Sequence, residues 1–185
     1  NANHISAMAA NRNVTNTLDY AKNSYFLKNY LSKVVVIPQP VELASITEQD
    51  VLEYRQKYHI ESGKRIIGVA ARFATEKGVE YLIQALPEVL KVYPDAQVHF
   101  VGQYENVLGE ELYAQKLMPL IHNLGGHWKF LGILSPKELG AFFRESAVTV
   151  LPSINSTESF GIVQIESMIS NTPVIATDIP GVRQP

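Results

Sequence analysis

The residues best suited to chemistry lie near the C-terminal end, in the run Glu158-Ser-Phe-Gly-Ile-Val-Gln-Ile-Glu166. Two carboxylates stand eight positions apart around Phe160-Gly161. An apolar stretch, Ala147-Val-Thr-Val150, and a loop, Leu151-Pro-Ser-Ile-Asn-Ser-Thr157, precede them. The local order therefore reads strand, loop, helix. On this reading Glu158 falls at the helix mouth and Glu166 about two turns in, and eight helical residues rise roughly 12 Å. That span suits a ligand with hydroxyls at both ends and an anionic middle, which is the shape of a nucleotide sugar. The helix N-terminus would offer free N–H groups and a positive dipole end to the phosphates.

A second constellation is Ala71-Arg72-Phe-Ala-Thr-Glu-Lys77-Gly78, which follows the apolar run Arg65–Ala70 and opens a helix at Gly78. Arg72 and Lys77 would emerge at the C-terminal end of a strand, where two cations and a helix dipole suit a diphosphate. Each constellation has a plainer alternative: two solvated surface charges in one case, a first-turn Glu and an exposed helical Glu in the other. Paired carboxylates also suggest glycoside hydrolysis, but that chemistry places them about 5–9.5 Å apart. A grip on sugar hydroxyls is the simpler role.

The elements that must position these residues alternate regularly. Strands are expected at Val34–Ile37, Arg65–Ala70, Val98–Val101, Trp128–Leu131, Ala147–Leu151 and Pro173–Ala176. Helices are expected from Glu48 toward Tyr58 with Thr47 as N-cap, over Gly78–Val92, over Glu110–Leu124 stopped by Gly125-Gly126, and after Ser135. Ser135-Pro-Lys-Glu138 carries a capping box with Pro at the first helical position. Asn171 stands where a left-handed residue is often needed. Six strand–helix alternations from Val34 onward imply an α/β domain, a Rossmann-like doubly wound parallel sheet of about six strands. Ligands of such sheets bind at the C-terminal ends of the strands, where both constellations lie.

Composition narrows the field. With 185 residues, 46% hydrophobic and 18% charged, the chain is globular. A net charge of -2 speaks against nucleic acid as a partner. The absence of cysteine removes disulfides, thiolate metal sites and a thiol nucleophile. Asn1 to Met8 lacks the basic and apolar regions of a signal peptide, so a cytoplasmic location is expected. Neither a Gly-x-Gly-x-x-Gly nor a Walker-type loop follows a strand, no Asp-x-Asp is present, and the five histidines lack ligand spacing. No metal or cofactor is therefore expected. Leaving-group charge falls to Arg72, Lys77 and backbone N–H groups.

Glu158-x7-Glu166 with its internal Phe-Gly, then Met168 and Thr172-Pro-Val-Ile-Ala-Thr177, resembles the retaining glycosyltransferases of group 1, family four. Arg72-x4-Lys77-Gly78 and Phe130-Leu-Gly132 match the same family in order and spacing. The resemblance runs from about Val34 to the end. It implies one domain of the two-domain GT-B architecture, the donor-binding one, over residues 33–185 and cut short at its C-terminus. Residues 1–32 would be a tag remnant (Asn1-Ala2) and the end of, or link to, an acceptor domain.

By the same resemblance Arg72 and Lys77 would hold the diphosphate of a UDP- or GDP-sugar and stabilise its departure, and Glu158 would bind sugar hydroxyls. Backbone N–H groups at Phe160, Gly161 and Ile162 would approach the sugar, and those near Val163 a phosphate. Glu166 would take the ribose, and the backbone at Leu134 the base. Ala71 and Asn171 stand where the family usually has Gly. The missing partner domain would carry the acceptor site and any membrane association, leaving this fragment inactive alone. A non-catalytic nucleotide-sugar-binding module and a nucleotide-sugar epimerase are the alternatives on the same fold.

Overall fold

The computed structural model describes residues 2–184. Asn1 of the expected tag remnant and Pro185 of the expected donor span lie outside the described residues. The chain opens with α1 (Ala2–Ala9), β1 (Asn13–Thr15), α2 (Leu18–Asn23), a 3₁₀ segment (Leu27–Lys33) and β2 (Val34–Val36). It continues with α3 (Glu48–Lys57), β3 (Arg65–Ala70), α4 (Val79–Val92), β4 (Ala96–Val101), α5 (Glu111–Asn123) and β5 (Trp128–Gly132). Last come α6 (Pro136–Glu145), β6 (Ser146–Leu151), α7 (Ile162–Ile169) and β7 (Val174–Ala176).

Local chemistry sets the helix boundaries. Thr47 Oγ1 accepts from the N–H of Asp50, while the Asp50 carboxylate accepts from the N–H of Thr47. Ser135 and Glu138 form the same reciprocal box ahead of α6, with Pro136 at its first position. Each box satisfies two N–H groups that a helix start leaves orphaned. In α4 the residues Val79, Leu82, Ile83 and Leu86 are all buried, an apolar stripe at helical spacing. Asn171 takes φ 60 after α7, the left-handed conformation expected of it.

The main sheet is parallel throughout, in the order β5-β4-β3-β6-β7. Residues alternate between its faces. Ile67, Val69, Val98 and Phe100 pack with α4 and α5 on one side. Ile66 and Val101 pack with α3 and α6 on the other, where Val163 of α7 joins them. Coverage on both faces is what a parallel sheet requires. From β3 the chain winds outward through α4 to β4, and from β6 it winds the opposite way through α7 to β7. The switch point therefore lies between β3 and β6, and the loops 71–78 and 152–161 meet above it.

Three details differ from the sequence reading. The Val34–Val36 run is not a strand of the main sheet, which has five strands. It pairs in parallel with Asn13–Thr15 in a separate two-stranded sheet. Lys33, just before it, donates to the carbonyls of Met8 and Ala10 and secures this local pairing. The polar and apolar pattern of Leu18–Leu31 reads as one helix, but the helix breaks at Ser24, which adopts extended angles and accepts from the N–H of Leu27 through its hydroxyl. Serine competes in this way with helix continuation. Finally, α7 begins at Ile162, so the nine residues from Glu158 to Glu166 are not all helical.

Candidate functional site at the switch point

The two loops at the switch point are fastened to each other. The N–H of Ile154 donates to the carbonyl of Glu76 at 3.0 Å. Gly78 has φ +61, and a Cβ there would lie 2.2 Å from the Pro152 carbonyl oxygen, so only glycine permits this close approach. The 71–78 loop is braced from the far side by Glu110, whose carboxylate accepts from the N–H and hydroxyl of Thr75 at 2.9 and 2.6 Å. Those two bonds hold the Glu110 carboxyl below its usual range.

Across this seam Lys77 and Glu158 meet. Lys77 Nζ donates to Glu158 Oε2 at 2.7 Å, with side-chain exposures of 20% and 16%. The hydroxyl of the buried Ser153 donates to the same oxygen at 3.3 Å. Glu158 Oε1 accepts from the N–H of Gly161 at 3.1 Å. Glu158 thus sits in the loop four residues before α7 and caps its mouth, rather than occupying the first turn. Gly161, at φ +71, turns the chain into the helix. Its N–H, expected to approach a sugar, is engaged by Glu158. No intramolecular hydrogen bond engages the N–H groups of Phe160, Ile162 and Val163 among the described residues, so they are the donors the helix entrance offers to a ligand.

Glu166 is the fifth residue of α7, a little over one turn in rather than two. It is half-buried, and among the described residues its carboxylate has no hydrogen-bond or ion-pair partner. Burial pushes its carboxyl above its usual value. A desolvated carboxylate without partners is costly unless something with donors completes it.

Arg72 stands apart from this centre. Its guanidinium pairs with Glu76 at 2.8 Å and remains 60% exposed, at the rim of the site. Leu134 lies two residues past the end of β5 and packs in the same apolar cluster as Val163. The β5 crest is two strands from β3, roughly 10 Å at ordinary strand spacing. The expected site residues thus follow strand ends: Lys77 and Glu158 are in contact, Glu166 lies just over a turn into α7, Leu134 follows β5 and Arg72 stands exposed on the 71–78 loop. The sequence reading missed Ser153 and Glu110, because an isolated Ser in a loop and a Glu before a helix carry no pattern.

Among the described residues, no group of three or more His, Asp or Glu side chains is arranged to hold a metal ion. No helix there is long and apolar enough to cross a membrane. An apolar groove of about 430 Å³ between α4 and the β6–β7 edge meets the site loops only at Pro152 and holds none of the expected site residues.

Comparison with known proteins agrees with the fold. Residues 50–184 match the family described as Glycosyl transferases group 1. A phosphatidyl-myo-inositol mannosyltransferase of Mycolicibacterium smegmatis is 29% identical over 153 residues, 83% of this chain and 36% of that protein. One from Mycobacterium leprae is 31% identical over 153 residues, 83% of this chain and 37% of that protein. The chain thus spans little more than a third of the length of these curated relatives. Among solved structures, Anabaena Alr3699/HepE in complex with UDP and glucose superposes with a TM-score of 0.80 at 23% identity, over 97% of this chain and 48% of that one. A glycosyltransferase from Rickettsia africae gives 0.78 at 24% identity, over 98% and 49%. With its parallel sheet and both motif loops inside the matched span, the chain belongs to the group 1 glycosyl transferases.

Proposed function

We propose that this chain is the donor-binding domain, over residues 33–185, of a retaining family-four glycosyltransferase that takes its sugar from a nucleoside diphosphate. The observation that carries this reading is the Lys77–Glu158 contact, formed across the switch point between residues 81 positions apart. Lys77 has three N–H donors. One holds Glu158, leaving two for phosphate oxygens, so a single ammonium can address the diphosphate while fixing the carboxylate that grips the sugar.

The remaining roles follow along the crest. The free N–H groups of Phe160 and Ile162 approach the sugar, that of Val163 faces a phosphate, and Glu166 accepts from the ribose hydroxyls. The backbone at Leu134 takes the base. Arg72 swings from Glu76 to the departing phosphate, where a guanidinium binds two oxygens at once. Charge on the leaving group is met by these cations and N–H groups, without a divalent metal. Retention at the anomeric carbon rests on the motif resemblance. A relative is a mannosyltransferase and a solved neighbour holds UDP-glucose, which supports a nucleotide hexose as donor class. The acceptor is assigned to a partner domain, and the chain alone is expected to bind donor without transferring it. A cytoplasmic setting is proposed.

Calorimetric titration with UDP, GDP, ADP, UDP-glucose and GDP-mannose tests this. One base series should bind, and Lys77→Ala or Arg72→Ala should weaken it by about 1.5–3 kcal/mol, the worth of a charge-assisted hydrogen bond. A wild-type chain that is folded and binds none of them at millimolar concentration would sink the proposal.

A further inference from the structure

The loop that carries Glu158 is held from outside the sheet, by residues at opposite ends of the chain. Asp19, on α2, makes a two-pronged pair with Arg183: Nε donates to Oδ2 at 3.0 Å and Nη2 to Oδ1 at 2.9 Å. The same Oδ2 accepts from the N–H of Gly181 at 2.9 Å. Asp19 is only 11% exposed, and these bonds hold its carboxyl below the usual range. A forked guanidinium pair plus a backbone donor on one carboxylate fixes orientation as well as distance.

What Asp19 holds in turn presses on the Glu158 loop. Gly181, at φ +90, lies so close to that loop that a Cβ would stand 2.4 Å from the Ser159 carbonyl oxygen and 3.2 Å from the Tyr20 Cβ. The next residue, Val182, is fully buried, and its carbonyl accepts from the buried Gln164 side chain, which also donates to the carbonyl of Phe160. The Tyr20 hydroxyl reaches the carbonyl of Ser156 at 3.4 Å. The segment around residue 181 is therefore wedged between α2 and the loop, and Asp19 is the group that pins it there.

We propose that Asp19 is a positioning residue of the donor site: through Arg183 and Gly181 it holds loop 156–161 in the conformation from which Glu158 addresses the sugar. This rests on the donor-site reading given above. Among the described residues Asp19 has no hydrogen bond or ion pair to a site side chain. Its loss should therefore spare the nucleotide and weaken the hold on the sugar.

Two measurements on the full chain test this. In the ligand-free protein, Asp19→Ala should speed amide exchange at Gly161, whose N–H is bonded to Glu158, by tenfold or more, leaving amides of β3 and β4 unchanged. By calorimetry, the ratio of nucleotide-sugar to nucleoside-diphosphate affinity should fall about tenfold in Asp19→Ala, with the nucleoside diphosphate bound within twofold of wild type. Asp19→Asn, which keeps an acceptor for the Gly181 N–H, should restore part of both effects. It is also the variant to read if the alanine form does not fold. Unchanged exchange at Gly161 would overturn the proposal. So would faster exchange with an unchanged affinity ratio, because Asp19 would then be structural only. A wild-type chain that binds no nucleotide removes the donor reading itself, a failure seen before any variant is made.

Discussion

Glu166 is where local physics and proposed chemistry meet most plainly. A half-buried carboxylate without partners destabilises the ligand-free protein when charged. Its folded-state pKa lies above the unfolded value, so the folded chain binds the proton more tightly. Stability is favoured at pH below the unfolded value near 4.5 and is lost as pH rises through the raised folded value. Glu166→Gln should remove this slope in urea unfolding between about pH 4 and 7, and should leave the variant at least as stable as wild type at pH 7. On the ribose role proposed for Glu166, the same change should weaken nucleotide binding, because one of its two acceptor oxygens becomes an NH₂ donor. A stabilised variant with unaltered affinity would show that the burial of Glu166 has nothing to do with a ligand. Lys77 behaves differently: removing it leaves Glu158 without the one cation paired with it among the described residues, so its effects on stability and binding should run in the same direction.

At the scale of elements, the strands and caps were legible in the sequence and the seams between elements were not. Thr47 with Asp50 and Ser135 with Glu138 are local signals, complete within four residues. The β-branched run Val34–Val36 was legible as a strand, but its partner Asn13–Thr15 is too short and polar to announce itself. Ser24 broke an apparently continuous helix through one hydroxyl contact. The start of α7 was misplaced because Glu158 serves as an acceptor at the helix mouth, and a helical count runs straight through it. Of the site, the residue types and their strand-end positions could be read. The 2.7 Å contact between Lys77 and Glu158 could not, since it depends on strand order. His99 lies within β4, which buries it completely, with Nε2 against Gln97 Oε1 at 2.9 Å and Nδ1 near the Tyr54 hydroxyl. Desolvation lowers its pKa to about 4. The unfolded chain therefore takes up a proton first, and stability present above about pH 6.5 should fall by on the order of 3 kcal/mol as pH drops toward 4. An NMR titration that finds His99 protonating near 6.5 would contradict this burial account.

At the scale of the whole molecule, the sheet order brings two distant loops together above one crevice, and Asp19 on α2 joins the 181–183 segment beside them. The β3 and β6 loops come from opposite windings, the arrangement at which open α/β sheets form a ligand crevice. The Asp19–Arg183 pair ties residues 164 positions apart and rests against the same loop. Other recesses exist, including the apolar groove along α4 and one at the opposite end of the strands lined by His59, Lys64, His127 and Lys129. They give the central claim its clearest competitor. The most direct test maps amide chemical-shift changes on adding the nucleotide sugar that binds best in calorimetry. The account predicts changes concentrated in residues 72–78, 132–134 and 158–166. Changes centred instead on the strand bottoms around His59 and His127 would contradict it.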